Sequence, residues 1–213
     1  MSFIFRKHPE YAGKHFFLSP SSHVLDQDRT YEELDKRMRS NYAAEIGTVI
    51  HGLAADLIEY KMTTTKTKAY DQILKALLDD NIPRTIINPY EFVDTFVLYV
   101  NDAISFDMSS EVVLTYSPKA GGTTDAISWN EKKRYLRIHD LKTGSNPVKM
   151  DQLVEYAAYF CLEYKIAPKD ILQTELRIYQ NGEYISYNPS TEELVMMEDR
   201  IITCSEYLIN NYS

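Results

Sequence analysis

The chain of 213 residues contains only two cysteines, and no apolar run in it is long enough to span a membrane. Cys161 and Cys204 each lie in an apolar helical pattern and not at a paired spacing, so they indicate neither a disulfide framework nor a zinc site. A membrane span needs roughly 20 consecutive apolar residues, and the first residues lack the apolar core of a signal peptide. We therefore expect a cytoplasmic protein that makes no contact with a membrane.

Basic residues are also scarce, since 23 Lys and Arg face 31 Asp and Glu and the net charge is −8. A protein that coats nucleic acid by bulk electrostatics needs a basic surface, so this class is disfavoured. A metal-dependent enzyme is not disfavoured, because its active site collects carboxylates around cations. A phosphate-binding loop is missing as well: Lys119 to Thr123 lacks the Gly-x-x-x-x-Gly-Lys-Ser/Thr form, so no ATPase activity is expected.

The patterning predicts helices first and strands afterwards. Apolar residues at spacings of 3 and 4 predict a long helix and two shorter ones, and β-branched and aromatic runs separated by turns predict three consecutive strands. Asn146-Pro147 predicts the start of a helix, and Ser190 with Glu193 forms a capping-box signal for the last one. The predicted helices cover 29–61, 67–81, 88–105, 146–164 and 191–211, and the predicted strands cover 111–116, 123–129, 134–142, 171–180 and 184–187.

This order predicts one α/β (α+β) domain. Three strands with short turns form an antiparallel meander, and the helix after them allows a crossover to the fourth strand. The expected core is a central mixed sheet of about four to five strands flanked by helices. No repeat or low-complexity linker divides the chain, so a single domain is expected over 1–213, with a mainly helical part to 105, a sheet and helix over 110–188 and a last helix over 190–213.

Asp140 and Lys142 are the first candidates for chemistry. Two residues apart on a strand, they point to the same face. If Trp129 pairs with Arg134 across the turn 130–133, Asp125 lies opposite Ile138, on the same face and diagonal to Asp140. Two carboxylates can hold a hard cation, and the lysine can stabilise developing charge. Alternatively, Asp140 and Lys142 form only a surface ion pair.

Three further residues have both a functional and a purely structural interpretation. His51 lies in an apolar helix four residues after Gly47, where a histidine often only completes the core. Gln152 and Tyr156 lie one turn apart on the helix that follows the third strand, where they could form an ordinary polar stripe.

Taken together and in this order, the residues resemble the RecB-like branch of the PD-(D/E)XK nuclease superfamily, with its restriction-endonuclease-like core. Small phage exonucleases are the members most similar in size. The resemblance runs from about residue 18 to residue 180, and the Leu18-Ser19-Pro20-Ser21-Ser22 stretch resembles the opening motif. It is carried by Gly47-Thr48-x-x-His51, Gly122-x-x-Asp125, Asp140-x-Lys142 with Thr143-Gly144, and Gln152-x-x-x-Tyr156.

The resemblance implies a role for each matching residue. The implied metal ligands are His51, Asp125, Asp140 and the backbone carbonyl of Leu141. Lys142 would be the catalytic lysine, and Gln152 and Tyr156 would border the active site and contact the scissile region of DNA. Glu111 is at a position where many members carry an acidic residue for a second metal or a water, and an exposed charge at a strand start explains it equally well.

The function implied is Mg²⁺-dependent exonuclease hydrolysis of DNA, with Mn²⁺ as a substitute, in phage or mobile-element recombination or repair. Several RecB-like nucleases hold an iron–sulfur cluster on four cysteines, which two cysteines cannot supply. The implied partners are DNA ends and a recombinase, annealing protein or helicase, and a homo-oligomer is left open. An endonuclease with the same core and a non-catalytic DNA-binding or assembly subunit remain the alternatives.

Overall fold

The computed structural model describes Arg6, His8, Pro9, Leu18 and residues 30–144 and 146–212. The chain forms two compact units, Met1–Ala44 and Glu45–Ser213. All the candidate site residues belong to the second unit. The predicted opening motif at 18–22 lies outside the described residues apart from Leu18, and the single nuclease domain over 1–213 stays a prediction.

Three helices precede the sheet: α1 (Tyr31–Glu59), α2 (Lys66–Asp79) and α3 (Tyr90–Ser105). At the start of α1 the backbone N–H of Thr30 donates to Glu33, whose own N–H donates to the Thr30 hydroxyl, which forms a capping box. The Thr65 hydroxyl caps α2 in the same way by accepting from the N–H of Lys68. Local sequence therefore determines where α1 and α2 begin.

The remaining elements form a five-stranded sheet with one helix inserted and one helix after it. The strands are β1 (Ser109–Ser117), β2 (Ala120–Asn130), β3 (Tyr135–Leu141), β4 (Gln173–Gln180) and β5 (Glu183–Tyr187), and they lie in this order across the sheet. The helices are α4 (Asp151–Tyr164), between β3 and β4, and α5 (Thr191–Tyr212), while Arg84–Ile86 and Pro168–Asp170 form short 3₁₀ turns.

The topology confirms the predicted α+β class. β1, β2 and β3 form an antiparallel meander, α4 makes the crossover, and β4 pairs parallel to β3 before β5 returns antiparallel. The sheet is therefore mixed and flanked by helices. Ser190 and Glu193 exchange the predicted capping-box hydrogen bonds at the start of α5. No helix in the described part of the chain is both long and apolar enough to cross a membrane.

The predicted register between β2 and β3 is wrong by two residues. Trp129 pairs with Leu136 and not with Arg134, because the turn occupies residues 131–134, where Arg134 adopts a φ of 48°. The last paired rung joins Ala126 to His139, so the next position along brings Asp125 level with Asp140 instead of with Ile138. The corrected register places Asp125 of β2 and Asp140 of β3 at directly opposite positions on neighbouring strands.

The start predicted for α4 is also wrong. Asn146-Pro147 does not open the helix, which begins at Asp151 after Met150. The Asn146 carbonyl instead accepts a hydrogen bond from Gln180 Nε2 at 2.9 Å, which holds this segment against the end of β4. A tertiary contact thus overrides a helix-start signal that is correct in its local chemistry.

The two faces of the sheet pack differently. Leu136 and Ile138 belong to an apolar core with Leu153 and Ala157 of α4 and with residues of α5. Apart from buried Leu141, the alternate residues of β3 and β4 are polar or aromatic, and they meet α3 and the residue that follows it through Asp102, Tyr99 and Phe106. The ends of β2 and β3 near α1 position the candidate site.

Candidate active site

Three side chains from separate elements form the centre of the site. His51 comes from α1, Glu111 from β1 and Asp125 from β2, and one nitrogen or oxygen atom of each lies within 4.8 Å of the other two. His51 Nδ1 is 3.3 Å from Asp125 Oδ2. These residues are 74 positions apart at the extremes of the chain segment 51–125, so only the tertiary fold brings them together.

An irregularity between β1 and β2 accompanies this arrangement. The ladder pairs Ser110 with Ala126 and Val112 with Thr124, and it skips the rung between them, which holds Glu111 and Asp125. Glu111 has a φ of 52°, in the left-handed region that costs a non-glycine residue roughly 1 to 2 kcal/mol. Such strain persists where surrounding contacts over-determine it, and it occurs most often at functional sites.

Asp125 also contacts the end of β3. Its Oδ2 accepts a hydrogen bond of 2.8 Å from the backbone N–H of Leu141. The same carboxylate therefore contacts both His51 and the strand that carries Asp140. The structure places the Leu141 backbone at the site through this N–H, whereas the predicted ligation by the Leu141 carbonyl stays a prediction.

Asp140 and Lys142 form a second, adjoining pair. Lys142 Nζ donates to Asp140 Oδ1 at 3.0 Å and lies 2.9 Å from Oδ2, but without hydrogen-bond geometry to the latter. Asp140 is buried, and among the described residues its Oδ2 has no hydrogen-bond partner. The carboxylate lies outside the group of His51, Glu111 and Asp125, so its predicted role as a metal ligand stays a prediction.

Gln152 and Tyr156 of α4 continue from this pair. Lys142 Nζ donates to Gln152 Oε1 at 3.3 Å, and Gln152 Nε2 donates to the Tyr156 hydroxyl at 3.4 Å. Tyr156 packs on Gly122 so closely that a Cβ there would lie 2.9 Å from the ring. The absence of a side chain at Gly122 therefore leaves space for Tyr156 beside the site.

Charge interactions connect the group of His51, Glu111 and Asp125 with the adjoining pair of Asp140 and Lys142. Burial opposes the charged form of His51, but the hydrogen bond to Asp125 and the negative charges of Asp125, Asp140 and Glu111 outweigh it and raise its pKa. Burial, followed by the charge of Asp125, raises the pKa of Asp140 to about 6 against the opposing effects of Lys142 and His51. Burial and Asp125 likewise raise the pKa of Glu111. The site therefore has excess negative charge for a cation to neutralise.

The residues present fit a divalent cation. Neighbouring ligands of an octahedral ion with bonds of about 2.1 Å lie about 3 Å apart, close to the 3.3 Å between His51 and Asp125. Oδ2 of buried Asp140, which accepts no hydrogen bond from any described residue although it lies 2.9 Å from Lys142 Nζ, offers a further acceptor next to this group. A set of one imidazole and several carboxylates suits a hard or borderline ion such as Mg²⁺ or Mn²⁺.

Sequence reasoning missed a polar layer behind β3. The buried His139 lies with its Nδ1 3.2 Å from the Tyr179 hydroxyl, which donates to Asp102 at 2.8 Å. The backbone N–H of Lys142 in turn donates to the Tyr179 carbonyl at 2.9 Å. This layer holds the strand end that carries Asp140 and Lys142. Its members are far apart in sequence, and no local pattern links them.

Two comparisons with known proteins give no assignment. A scan of the chain against models of known protein families finds no match, and a search of curated proteins finds no significantly similar sequence.

Proposed function

We propose that this protein is a metal-dependent deoxyribonuclease of the RecB-like PD-(D/E)XK type that degrades DNA from its ends. The observation that carries the proposal is the convergence of His51, Glu111 and Asp125, from α1, β1 and β2, next to the Asp140–Lys142 pair at the end of β3. Each residue type has a separate use in phosphodiester hydrolysis, and the order along the chain is that of the resemblance.

His51, Asp125 and Glu111 would hold the cation, and Asp140 would join them through Oδ2, the oxygen that accepts no hydrogen bond from Lys142. The bound cation would act as a Lewis acid and lower the pKa of the attacking water. Lys142 would release one contact with Asp140 and donate to a phosphate oxygen, where it stabilises the charge that develops during attack. Gln152 would orient the Lys142 ammonium group by accepting its hydrogen bond. Tyr156, which follows Gln152 on α4, would border the site on the side that faces the DNA.

Mg²⁺ is the cofactor we propose, with Mn²⁺ as an effective substitute, because carboxylate ligands suit both ions. The two cysteines, one buried and one exposed, cannot ligate an iron–sulfur cluster of the four-cysteine type. The proposed setting is phage or mobile-element recombination or repair in the cytoplasm. A recombinase, an annealing protein or a separate helicase would be the partner protein, with homo-oligomers also compatible.

Linear and closed circular DNA separate the proposed exonuclease from its alternatives. Purified protein should degrade linear duplex or single-stranded DNA with Mg²⁺ or Mn²⁺, leave closed circles intact and be inactive in EDTA. Asp140→Ala and Lys142→Ala should each lower the rate about 100-fold or more, the cost of removing one group that stabilises the transition state.

Asp107→Ala is the matched control, because Asp107 is an exposed carboxylate that pairs with Lys61 in the same way that Asp140 pairs with Lys142. This variant should retain full activity. Cutting of closed circles would indicate an endonuclease with the same core. Hydrolysis of neither substrate with either ion would contradict the enzymatic proposal and leave a non-catalytic DNA-binding subunit.

A further inference from the structure

We propose that a cavity at the end of β2 binds an extended, positively charged segment of a partner protein. The cavity has a volume of about 660 Å³ and is lined by residues of β1, of β2 and of the end of α4. Among the described residues, those that line it include none of the candidate active site. The inference is therefore independent of the proposed nuclease function.

An open edge of the sheet borders this cavity. β2 lies between β1 and β3, and it pairs with β3 as far as Asn130, whereas its pairing with β1 ends at Ile127. Within the described part of the chain, residues 128–130 therefore have a strand on one side only. Ser128 and Trp129 of this stretch line the cavity. An unpaired edge is a template that an extended segment can join by main-chain hydrogen bonds.

Aromatic rings form part of the cavity wall. The ring centroids of Trp129 and Phe160 are 5.4 Å apart, and those of Phe160 and Tyr164 are 5.0 Å apart. Phe160 is buried, but Trp129 is only partly buried and Tyr164 is 54% exposed, so these two present ring surface to a ligand. Tryptophan and tyrosine rings attract cations, tryptophan most strongly. The chain already contains such a contact, since the guanidinium carbon of Arg137 lies 3.8 Å from the centroid of the Tyr135 ring.

The charges around the cavity favour a cation. Its charged side chains are Asp107 and Glu131, and no described Lys or Arg lines it. Asp107 is already paired with Lys61, whereas Glu131 forms no ion pair with a described residue, so the charge of Glu131 is left for a ligand. The net charge of −8 adds a general attraction for basic partners. The same carboxylates repel the phosphates of a nucleic acid strand.

The size of the cavity suits a short peptide segment. Small-ligand sites commonly measure roughly 300 to 1,000 Å³, so this cavity has room for a few side chains. In an extended segment alternate side chains point to one face, which is the face that a sheet edge would turn towards the cavity. Partly buried Val112 and Ile166 supply apolar contacts beside the rings. The expected ligand therefore has a basic residue with apolar residues two positions away on either side.

Fluorescence of Trp129 tests this inference directly, because it is the only tryptophan of the chain. The probe is the acetylated and amidated peptide Val-Thr-Arg-Thr-Val, and the matched probe has Gln in place of Arg. The Arg peptide should shift the Trp129 emission and saturate it at about millimolar concentration, as expected for a short flexible ligand. The Gln peptide should bind about fivefold more weakly, because it loses the contact of the cation with the rings and with Glu131.

Two carboxylate variants separate the local charge from the general one. Glu131→Gln should weaken binding of the Arg peptide about threefold. Glu183→Gln is the control, since Glu183 is an exposed carboxylate beside the other hairpin turn and does not line the cavity. It should leave the affinity unchanged. Equal affinities of the two variants would contradict the role of Glu131.

Backbone amide signals of ¹⁵N-labelled protein test the pairing with the sheet edge. The amide signals of Ser128, Trp129 and Asn130 should shift on addition of the Arg peptide, and their hydrogen exchange should slow. β5 is also an edge strand, and its Ile185 is 57% exposed, so the Ile185 amide is the control and should not respond.

Three results would overturn the inference. They are equal binding of the two peptides, a response at Ile185 in place of residues 128–130, and an unchanged Trp129 emission with both peptides. A Trp129 response to oligothymidine but not to the Arg peptide would also overturn it, because the cavity would then be a nucleic-acid surface. All of these measurements are made without DNA hydrolysis, so their failure leaves the proposed nuclease function to its own test.

Discussion

At the scale of single residues, Asp125 has the most consequential contacts. Its Oδ2 lies 3.3 Å from His51 Nδ1 and accepts from the Leu141 N–H at 2.8 Å. One carboxylate thus stabilises the protonated form of the histidine and positions the end of β3. Removing its charge while keeping its shape should separate these two effects.

We predict that Asp125→Asn lowers the pKa of His51 in the metal-free protein. The hydrogen bond to Asp125 and its charge are the largest of the effects that raise this pKa, whereas Glu111 contributes the smallest of those identified. The decrease should therefore be larger in Asp125→Asn than in Glu111→Gln. NMR titration of the His51 ring signals in EDTA measures both.

Asp107→Asn serves as the control, since this exposed carboxylate pairs with Lys61. It should leave the His51 titration unchanged. An unaltered His51 pKa in Asp125→Asn would show that the two side chains are not in contact in solution, and the proposed ligand group would lose its centre.

At the scale of elements, the contact between α1 and the end of β3 depends on a glycine. A Cβ at Gly47 would lie 3.1 Å from Thr143 Oγ1, whereas a Cβ at Gly52, five residues later in the same helix, meets nothing within 4 Å. Glycine in a helix interior costs roughly 0.5 to 1 kcal/mol relative to alanine. The two positions therefore form a matched pair.

We predict that Gly52→Ala raises the free energy of unfolding by about 0.5 to 1 kcal/mol, while Gly47→Ala gains less or destabilises. Thr143→Ala removes the crowding oxygen, so Gly47→Ala made in that background should recover the gain. Urea unfolding of the four proteins in this double-mutant cycle, plus Gly52→Ala, measures the coupling. Equal effects of Gly47→Ala in both backgrounds would contradict the close approach of α1 to Thr143.

The elements themselves were largely predictable, because their signals are local. The predicted strands and helices match the observed ones within a few residues, apart from the start of α4, and the capping box of Ser190 and Glu193 is in place. The β2–β3 register was not predictable, because the length of a turn is decided by its backbone geometry and Arg134 adopts a positive φ. The two-residue error preserves the side-chain alternation, so the pairing of faces was unaffected.

The candidate site was predictable as a set of residues but not as a set of contacts. The sequence indicates His51, Asp125, Asp140 and Lys142, yet it does not reveal that Lys142 donates to Oδ1 of Asp140 and leaves Oδ2 without a hydrogen bond from the described residues. Nor does it indicate that Tyr179 connects His139 with Asp102, since this contact spans 77 positions between Tyr179 and Asp102. Long-range contacts between polar side chains carry no periodic signal.

At the scale of the whole molecule, buried ionisable groups with opposite shifts control how stability depends on pH. Burial, followed by the charge of Arg177, lowers the pKa of His139 from 6.5 to about 3. His139 therefore destabilises the folded protein as pH falls below 6.5. The pKa of Asp140 is raised from 3.8 to about 6, so Asp140 stabilises the folded protein increasingly as pH falls from 6 to 3.8. The two effects oppose each other between pH 6 and pH 3.8.

Glu175 contributes to the loss of folded stability at low pH. Burial opposes its charged form, but hydrogen bonds from Tyr135, Arg177 and Arg137 outweigh this effect and lower its pKa from 4.5 to about 2. Its contribution is therefore present above pH 4.5 and is lost as pH falls toward 2. Below about pH 4, Asp140 no longer compensates, and His139 and Glu175 destabilise together.

We predict that metal-free protein has a nearly constant free energy of unfolding between pH 6.0 and 4.5 and loses stability steeply below pH 4. Asp140→Asn removes the compensating group, so its stability should fall by about 2 kcal/mol between pH 6.0 and 4.5, the slope that His139 alone produces. Urea unfolding in EDTA measures both proteins, with Asp107→Asn, an exposed carboxylate, expected to follow the wild type. Parallel curves for Asp140→Asn and the wild type would show that Asp140 is ionised as readily in the folded protein as in the unfolded chain, and would contradict the effects of burial and of the Asp125 charge on this carboxylate.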